Sequence, residues 1–268
     1  MIKLIASDMD GTLLNDRKEL PGDFFEVFDE LERRGIKFTV ASGRSFDAVA
    51  HLFPEEYRPR LDFICDNGAN VIHEGKQVSV TPLDRPTFEQ LIRACEDIGG
   101  LRILVCAGRG TYHLTADAEF SAEIAKYYKN HIPCDDMLSV DDVIYKLAVC
   151  DMKGTQQHAK PAIDAIFGDR LNVQVSGPIW MDVMGAGVSK GSALRALGKH
   201  LGISADDTMA FGDFYNDADM LKYAGWSFAM ENGNPDIKRM TRFLARSNNE
   251  NGVLRAIRQY ALQEDSIK

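Results

Sequence analysis

Short apolar runs alternate with segments of helical spacing along the first third of the chain. Strands place apolar residues in runs or at every second position, whereas helices repeat them every three to four residues. The strand-like runs lie at 2–5, 36–41 and 63–65, and helical spacing covers 24–31 and 46–53. This order predicts a parallel sheet with helices on both faces. A hairpin is expected at 71–80, where two apolar runs flank a Glu-Gly-Lys turn.

The pattern changes after Pro82 and resumes near residue 188. A helical stretch at 86–98 precedes several strand-like segments, which predicts an α+β unit with a partly antiparallel sheet. The strand-like segments are 101–106, 111–114, 144–150, 171–176 and 180–184, with helical stretches at about 117–129 and 157–167. Helix, strand, helix and strand then follow at 189–201, 207–213, 216–224 and 226–230. We therefore expect an insertion within an α/β domain that the two ends of the chain form together.

Size and charge narrow the class of protein. The chain has 268 residues, 45% hydrophobic and 26% charged, a balance typical of a globular protein with one large or two modest domains. The net charge of −9 disfavours binding to the phosphate backbone of a nucleic acid. No apolar run reaches the length of about 18 residues that spans a membrane. The first residues lack the pattern of an export signal, so we expect a cytoplasmic protein without a membrane partner.

The cysteines indicate neither a disulfide framework nor a zinc site. They are odd in number and include no pair at the CxxC spacing that zinc sites and redox motifs use. Their positions are Cys65, Cys95, Cys106, Cys134 and Cys150. We expect free thiols in a reducing compartment.

Polar residues follow several of the predicted strands. In an open parallel sheet, ligands bind at the carboxyl ends of the strands, so these residues are candidates for a common site. They are Asp8, Asp10, Ser42, Gly43, Lys190, Asp213, Asn216 and Asp217. Alternate side chains of a strand project to one side, which would place Asp8 and Asp10 together. Two carboxylates that close repel each other unless a cation lies between them or one keeps a proton.

Each candidate also has a purely structural explanation. Ser42 could cap a helix, and Lys190 could be a solvated side chain near the start of a helix. Asp213 and Asp217 could be ordinary turn and cap residues. A phosphate site is nevertheless favoured, because one hydroxyl, one ammonium group and three carboxylates converge on the same edge of the predicted sheet.

The combination suits phosphoryl transfer with a bound Mg²⁺. Carboxylate oxygens without His or Cys partners favour Mg²⁺, which binds one or two carboxylates together with a substrate phosphate. Asp8 and Asp213 are the predicted ligands, with Asn216 and Asp217 orienting waters or ligands. Mg²⁺ and Lys190 would neutralise a phosphate dianion that otherwise repels an attacking carboxylate.

The remaining candidates fit the steps of such a reaction. The Ser42 hydroxyl and the Gly43 N–H would hold the phosphoryl oxygens in line. Asp8 would attack phosphorus and form an aspartyl phosphate. Asp10 would protonate the leaving oxygen and later activate water.

Four segments resemble, in order and spacing, the four motifs of haloacid dehalogenase superfamily phosphatases. They are DMDGTLL, ASGRS, GVSKGSAL and GDFYNDADML. The NGANVI segment, the insertion after it and the tail FAMENGNPDIKRM resemble the Cof-type subfamily with a type IIB cap. The resemblance implies a Rossmann-like three-layer α/β core with a mostly parallel sheet at 1–83 and 184–268. It also implies an inserted α+β cap domain at 84–183 that selects the substrate.

The resemblance implies roles for the matching residues. Asp8 would be the nucleophile and a metal ligand, and Asp10 the general acid and base, with its backbone carbonyl also on Mg²⁺. Asp213 would complete the metal site with support from Asp217. Ser42, together with Lys190, would hold the phosphoryl group.

Two asparagines and two aromatic residues complete the comparison with the family. Asn67 and Asn248 match positions that often lie near the cleft, so both are candidate substrate contacts, although Asn67 could serve only the backbone of its turn. The fourth motif departs from the common pattern at Phe214 and Tyr215, which we expect to alter the wall of the cleft. The segment 230–234 (MENGN) also differs from the usual Met-Gly-Asn.

The predicted function is a Mg²⁺-dependent phosphatase that acts on a small phosphorylated metabolite, with sugar phosphates as the expectation from the resemblance. Such a protein would be a monomer or a small homo-oligomer. A phosphomutase of the same fold, a phosphorylated receiver and a non-catalytic phosphosugar sensor remain as alternatives. Four residues of the insertion could contact a sugar or a ring, or could be ordinary surface and core residues. They are Arg102, Arg109, Tyr112 and Trp180.

Overall fold

The computed structural model describes residues 1–115, 120, 124, 130–176 and 178–263. Its described residues form two compact units. The first comprises Met1–Arg44, Val49–Ser79 and Ser189–Lys268, and we call it the core unit. The second comprises Ser45–Ala48 and Val80–Val188, and we call it the inserted unit. The two ends of the chain thus form one α/β unit, and the middle of the chain forms the other.

The core unit contains one sheet, which has eight strands among the described residues. The strands are β1 (Leu4–Asp8), β2 (Lys37–Ala41), β3 (Asp62–Cys65), β4 (Asn70–His73), β5 (Lys76–Val80), β12 (Thr208–Gly212), β13 (Trp226–Met230) and β14 (Phe243–Ala245). Their order in the sheet is β14-β13-β12-β1-β2-β3-β4-β5. All pairs from β14 to β3 are parallel, and β3 and β4 are antiparallel. The mostly parallel sheet agrees with the sequence prediction.

Helices pack on both faces of this sheet. Their bounds are α1 (Phe24–Arg33), α5 (Lys190–Leu201), α6 (Ala218–Tyr223), α7 (Pro235–Met240) and α8 (Gly252–Ala256). Helix α2 (Phe46–Ala50) has residues in both units. On one face, Leu194 and Met220 join a buried cluster with Leu4 of β1. On the other, the ring of Phe24 meets that of Phe38 edge to face, with centroids 5.4 Å apart. Strand β1 is buried at every residue because it lies in the middle layer.

The inserted unit contains a second sheet, with six strands among the described residues in the order β10-β11-β9-β6-β7-β8. Its strands are β6 (Leu101–Ala107), β7 (Gly110–Leu114), β8 (His131–Cys134), β9 (Ile144–Asp151), β10 (Leu171–Val175) and β11 (Trp180–Gly185). Only β7 and β8 pair in parallel in this part of the structure. Helices α3 (Arg85–Ile98) and α4 (Ala159–Phe167) contribute to its apolar core.

The sequence pattern does not predict two short strands, β8 and β14. Strand β8 (HIPC) contains a proline and lies at an edge of its sheet, where a missing N–H is tolerated. Strand β14 has only three residues. Of the helix expected at about 117–129, only residues 120 and 124 lie within the described part of the chain. No described helix is long and apolar enough to cross a membrane.

Candidate active site

The carboxyl ends of three adjacent parallel strands bring the first candidates together. Strand β1 lies between β2 and β12, with Asp8 opposite Ala41 and Ser7 opposite Phe211. Ser42 and Asp213 come directly after these two neighbouring strands. The edge of the sheet therefore gathers residues that lie far apart in the sequence, as expected for an open α/β sheet.

Lys190 reaches the same place from the start of helix α5. Ser189 caps this helix: its hydroxyl accepts from the N–H of Ser192, and the Ser192 hydroxyl accepts from the N–H of Ser189. Gly68 allows the close approach, because its φ is 107° and an added Cβ would lie 2.2 Å from the carbonyl oxygen of Ser189. The start of α5 is thus fixed by the Ser189–Ser192 capping box and by close packing against Gly68.

Lys190 is fully buried and bonds to two carboxylates. Its Nζ donates to Oδ1 of Asp8 at 2.6 Å and to Oδ1 of Asp217 at 2.7 Å. Burial lowers the pKa of Lys190, but the attraction of Asp217 and Asp8 outweighs burial and holds the pKa above its usual value. Lys190 is therefore a buried cation, and the alternative interpretation of a solvated side chain near a helix start is wrong.

Asp217 connects Lys190 to the loop after β12. Its Oδ2 accepts from the N–H of Asp213 at 3.0 Å and from that of Phe214 at 3.2 Å, while Oδ1 accepts from Lys190. The carboxylate is fully buried. It thus fixes the backbone that carries Asp213 and also neutralises the lysine.

Three carboxylates form a compact acidic group. One oxygen each from Asp8, Asp213 and Asp217 lies within 4.8 Å of the others. Burial raises the pKa of Asp8 to about 8, and burial together with the charge of Asp217 raises that of Asp213 to about 6. Carboxylates held this close in a buried place, with oxygen donors alone, fit a hard divalent cation. The cluster contains Asp8 and Asp213 of the predicted metal site, with Asp217 as its third member, and the ligand set itself stays a prediction.

The carboxylate of Asp10, which the sequence predicts to lie beside that of Asp8, bonds to two cations. Its Oδ1 accepts from Nη2 of Arg44 at 2.6 Å and from Nζ of Lys18 at 2.8 Å. The charges that act most strongly on Asp8 are instead those of Lys190, Asp217 and Asp213. The like-charge neighbours of Asp8 are thus the residues after β12, and the carboxylate of Asp10 is balanced by two cations.

Ser42 and Gly43 lie beside Asn67. Ser42 is buried, and its Oγ accepts from the N–H of Arg44 at 3.1 Å, so it stabilises a turn and does not cap α2, which begins later at Phe46. A Cβ on Gly43 would come within 3.0 Å of Oδ1 of Asn67. That Oδ1 also accepts from Nδ2 of Asn216 at 3.3 Å. Asn67, in the left-handed conformation at φ 54°, therefore links the loops that carry Gly43 and Asn216.

Asn248 is buried and bonds to the loop after β1, and its contact with a substrate stays a prediction. Its side chain is 1% exposed, and Nδ2 donates to the carbonyl of Leu14 and to Oδ1 of Asp16 at 3.0 and 3.1 Å. Its N–H donates to Oδ1 of Asn232, whose Nδ2 donates to the carbonyl of Gly11. The side-chain N–H groups of Asn248 therefore bond to the loop after β1, and these bonds satisfy a buried polar group.

The four residues proposed in the inserted unit have partners within that unit. The guanidinium of Arg102 lies 5.4 Å from the ring centroid of Phe120, on which Trp180 also stacks at 5.9 Å. Nε of Arg109 and the hydroxyl of Tyr112 both donate to Asp142, at 3.2 and 2.9 Å. These contacts give each residue an intramolecular role, and contact with a substrate stays a prediction.

Sequence reasoning missed Lys18 and Asn232. Lys18 lies outside the four motifs, in a polar stretch where nothing in the local pattern connects it with Asp10. Asn232 stands in the segment MENGN, which differs from the usual family pattern. That departure was a signal of an altered loop, but the partner of Asn232, the carbonyl of Gly11, could be found only from the structure.

Comparison with known proteins agrees with this geometry. A family model described as haloacid dehalogenase-like hydrolase matches residues 5–257. The chain is 31% identical to the 5-amino-6-(5-phospho-D-ribitylamino)uracil phosphatase of Escherichia coli K12 over 96% of this chain and 95% of that protein. It is 28% identical to the HMP-PP phosphatase of Klebsiella pneumoniae, over 89% and 87% of the two chains. The crystal structure of SMU.1108c from Streptococcus mutans UA159 matches with a TM-score of 0.89 and 28% identity, over 98% of this chain and 100% of that one. The chain belongs to the haloacid dehalogenase-like hydrolases, and it is a phosphatase of that family.

Proposed function

We propose that this protein is a Mg²⁺-dependent phosphomonoesterase that hydrolyses a small phosphorylated metabolite through an aspartyl phosphate on Asp8. The observation that carries the proposal is the buried group in which Lys190 bonds to Asp8 and Asp217, with Asp213 beside them. A buried cation next to a candidate nucleophile and an acidic metal site matches the needs of phosphoryl transfer.

Asp8 is the proposed nucleophile. It lies at the end of β1 with one oxygen held by Lys190, so its carboxylate is oriented before a substrate arrives. A bound Mg²⁺ would supply positive charge at Asp8, Asp213 and the Asp10 carbonyl, which favours the ionised form of Asp8 and neutralises the phosphate. Asp217 would support the site indirectly, because its carboxylate accepts a hydrogen bond from the backbone N–H of Asp213.

The other proposed roles follow from position. Ser42 and the N–H of Gly43 lie at the end of β2, next to Asp8, where they would orient the phosphoryl oxygens. Asp10 lies two residues beyond the nucleophile and would give a proton to the leaving oxygen, then take one from the attacking water. Lys190 would neutralise one phosphoryl oxygen throughout.

The name of one relative supports a substrate class. The Escherichia coli relative is named for a substrate with a phospho-D-ribityl group. We propose a phosphate ester of a sugar or sugar alcohol as the substrate, in line with the family resemblance. We further propose that residues 84–183 form a cap domain that selects the leaving group, that 1–83 and 184–268 form the catalytic domain, and that the protein acts in the cytoplasm.

The test is phosphate release from a panel of sugar, sugar-alcohol and nucleotide phosphates, with Mg²⁺ and with EDTA. The control pair is Asp8→Asn, which keeps the shape of the side chain, and Asp219→Asn, an exposed carboxylate on α6. We expect Mg²⁺-dependent release that Asp8→Asn abolishes and Asp219→Asn leaves intact. Transfer of phosphate between positions of a sugar without release would instead support a phosphomutase. No turnover of any compound by folded protein would overturn the proposal.

A further inference from the structure

Lys18 adopts a backbone conformation that side chains disfavour. Its φ is 64°, in the left-handed region that glycine adopts freely and other residues adopt at a cost. Such conformations persist only where the surrounding structure enforces them, and they concentrate at functional sites. The cost falls on Lys18 because it carries a Cβ, which glycine lacks.

The turn around Lys18 is held by Asn15. Oδ1 of Asn15 accepts from the N–H of Arg17 at 2.9 Å and from that of Glu19 at 3.0 Å. The main chain adds bonds from the N–H of Lys18 to the carbonyl of Asn15 and from the N–H of Asn15 to the carbonyl of Glu19. Four hydrogen bonds thus fix a five-residue turn and force the conformation of Lys18.

The same turn is anchored to the body of the core unit at Asp16. Its two carboxylate oxygens accept from Nδ2 of Asn248 at 3.1 Å and from Nδ2 of Asn249 at 2.9 Å. The N–H of Asp16 donates to Oδ1 of Asn249 at 3.1 Å. These side-chain bonds lower the pKa of Asp16, so it accepts them as a carboxylate. Asn248 and Asn249, which lie outside the turn, therefore fix its position in the core unit.

The strained residue reaches the proposed general acid. Nζ of Lys18 lies 2.8 Å from Oδ1 of Asp10, and Nη2 of Arg44 lies 2.6 Å from the same oxygen. Two cations from different loops thus hold Asp10 by one oxygen. Both contacts are to Oδ1, which leaves Oδ2 as the oxygen that would exchange a proton with a leaving group.

We propose that Lys18 is a positioning residue for Asp10: with Arg44 it fixes Oδ1, so that Oδ2 meets the leaving oxygen. This inference rests on the proposed function. In the step concerned, Asp8 forms a bond to phosphorus, and the bond from phosphorus to the leaving oxygen breaks with its electron pair on that oxygen. The proton that this oxygen takes up comes from Asp10. Lys18 exchanges no proton in this step; its role is to hold Oδ1 of the donor.

The experiment uses three variants of Lys18 and a neighbouring control. Lys18→Met removes the ammonium group at similar length, and Lys18→Arg restores a cation. Lys18→Gly removes the cation and also the backbone strain. Arg17→Met removes a cation from the same turn that pairs with Glu19, at 2.9 Å, and not with Asp10.

The readout is the single-turnover rate of phosphoenzyme formation on two esters. One is the fastest alkyl phosphate of the panel described above, whose leaving oxygen needs a proton. The other is p-nitrophenyl phosphate, whose leaving group departs as a stable anion. We expect Lys18→Met and Lys18→Gly to lower the alkyl rate about tenfold and to leave the nitrophenyl rate unchanged, because only the alkyl ester depends on proton donation. Lys18→Arg should recover most of the rate, and Arg17→Met should match the wild type.

Thermal unfolding separates positioning from damage to the fold. Lys18→Gly should unfold at a higher temperature than Lys18→Met, although both react slowly with the alkyl ester. Equal losses on both esters, or an alkyl rate that Lys18→Met leaves unchanged in an active wild type, would overturn the inference. A wild type inactive on every ester would contradict the proposed function itself.

Discussion

Nζ of Lys190 lies 2.6 Å from Oδ1 of Asp8, although 182 positions separate the two residues in the chain. The same Nζ lies 2.7 Å from Oδ1 of Asp217, so one buried cation balances two buried carboxylates. Removing one partner of a buried ion pair leaves a charge without solvent or a counter-ion. Such losses cost far more than the ion pair itself contributes.

Replacement of Lys190 should therefore affect stability as well as activity. We expect Lys190→Met to lose turnover and to lower the unfolding free energy of the metal-free protein by about 3–5 kcal/mol. Urea unfolding in EDTA measures the change. Lys199→Met, at the exposed end of α5, is the matched control and should change the unfolding free energy little. Equal effects of the two substitutions would contradict a buried ion pair.

Metal binding should stabilise the protein through Asp213. A ligand that binds only the folded state raises the unfolding temperature as its concentration increases. We expect added Mg²⁺ to raise the thermal midpoint of the wild type and of Asp219→Asn. Asp213→Asn should lose most of this rise, because one of the three clustered carboxylates is gone. Retention of the full rise in Asp213→Asn would place the ion elsewhere.

The metal-free protein should show an unusual dependence of stability on pH. Burial raises the pKa of Asp8 to about 8, above the value of about 3.9 in an unfolded chain. The folded state then binds more protons than the unfolded state between these values, so this group's contribution to stability falls as pH rises. Asp8→Asn has no such group. In EDTA, the stability of the variant relative to the wild type should increase from about pH 5 to about pH 8.

Saturating Mg²⁺ provides the control for this pH dependence. A bound cation favours the ionised carboxylate, so the relative gain of Asp8→Asn should disappear when the metal is present. Urea unfolding at a series of pH values, with and without Mg²⁺, measures both curves. A difference between variant and wild type that stays constant with pH in EDTA would show that Asp8 ionises normally.

Gly68 should tolerate no side chain. An added Cβ would lie 2.2 Å from the carbonyl oxygen of Ser189, the cap of the helix that begins at Lys190. We expect Gly68→Ala to displace this helix start and to reduce both stability and turnover. Gly202→Ala is a control that also has a positive φ, 68° against 107° for Gly68, with no atom within 4 Å of the added Cβ. It should cost about 1 kcal/mol of unfolding free energy and leave turnover unchanged.

Asn248 should behave as a structural residue. Asn248→Ala leaves the buried carbonyl of Leu14 without its donor, and we expect a loss of about 1–3 kcal/mol in unfolding free energy. The KM for substrate should stay close to that of the wild type, while turnover falls because the loop that carries Asp10 loosens. A large rise in KM with unchanged stability would support the substrate contact that the family resemblance implies.

The sequence predicts the core sheet well because its strands are short, apolar and buried. Strand β1 is read from its apolar run, and the carboxyl-edge rule then places Asp8, Ser42 and Asp213 near one another. The short edge strands β8 and β14 are missed because few of their residues need burial, so little hydrophobic pattern remains. Edge position, and not weak structure, explains these omissions.

The partners within the site are harder to predict than its members. Motif spacing identifies Asp10 and Asn248 but not the direction in which their side chains point. Asp10 turns to Arg44 and Lys18, and Asn248 turns to Leu14 and Asp16. Such choices depend on loops brought together by the whole fold, for which a local pattern carries no signal.

The central place of β1 in the sheet has a consequence during synthesis. One neighbour, β2, follows soon after it, but the other, β12, is made only when residues 208–212 leave the ribosome. At about 5–20 residues per second, the chain between them takes on the order of ten to forty seconds to synthesise. Until β12 is made, β1 lacks one of its two partner strands, and Asp8 has no Lys190 until residue 190 is made. All residues of the inserted unit are synthesised before β12. The nascent chain therefore contains a complete inserted unit and an incomplete core unit. We expect the risk of aggregation during synthesis to come from the core unit.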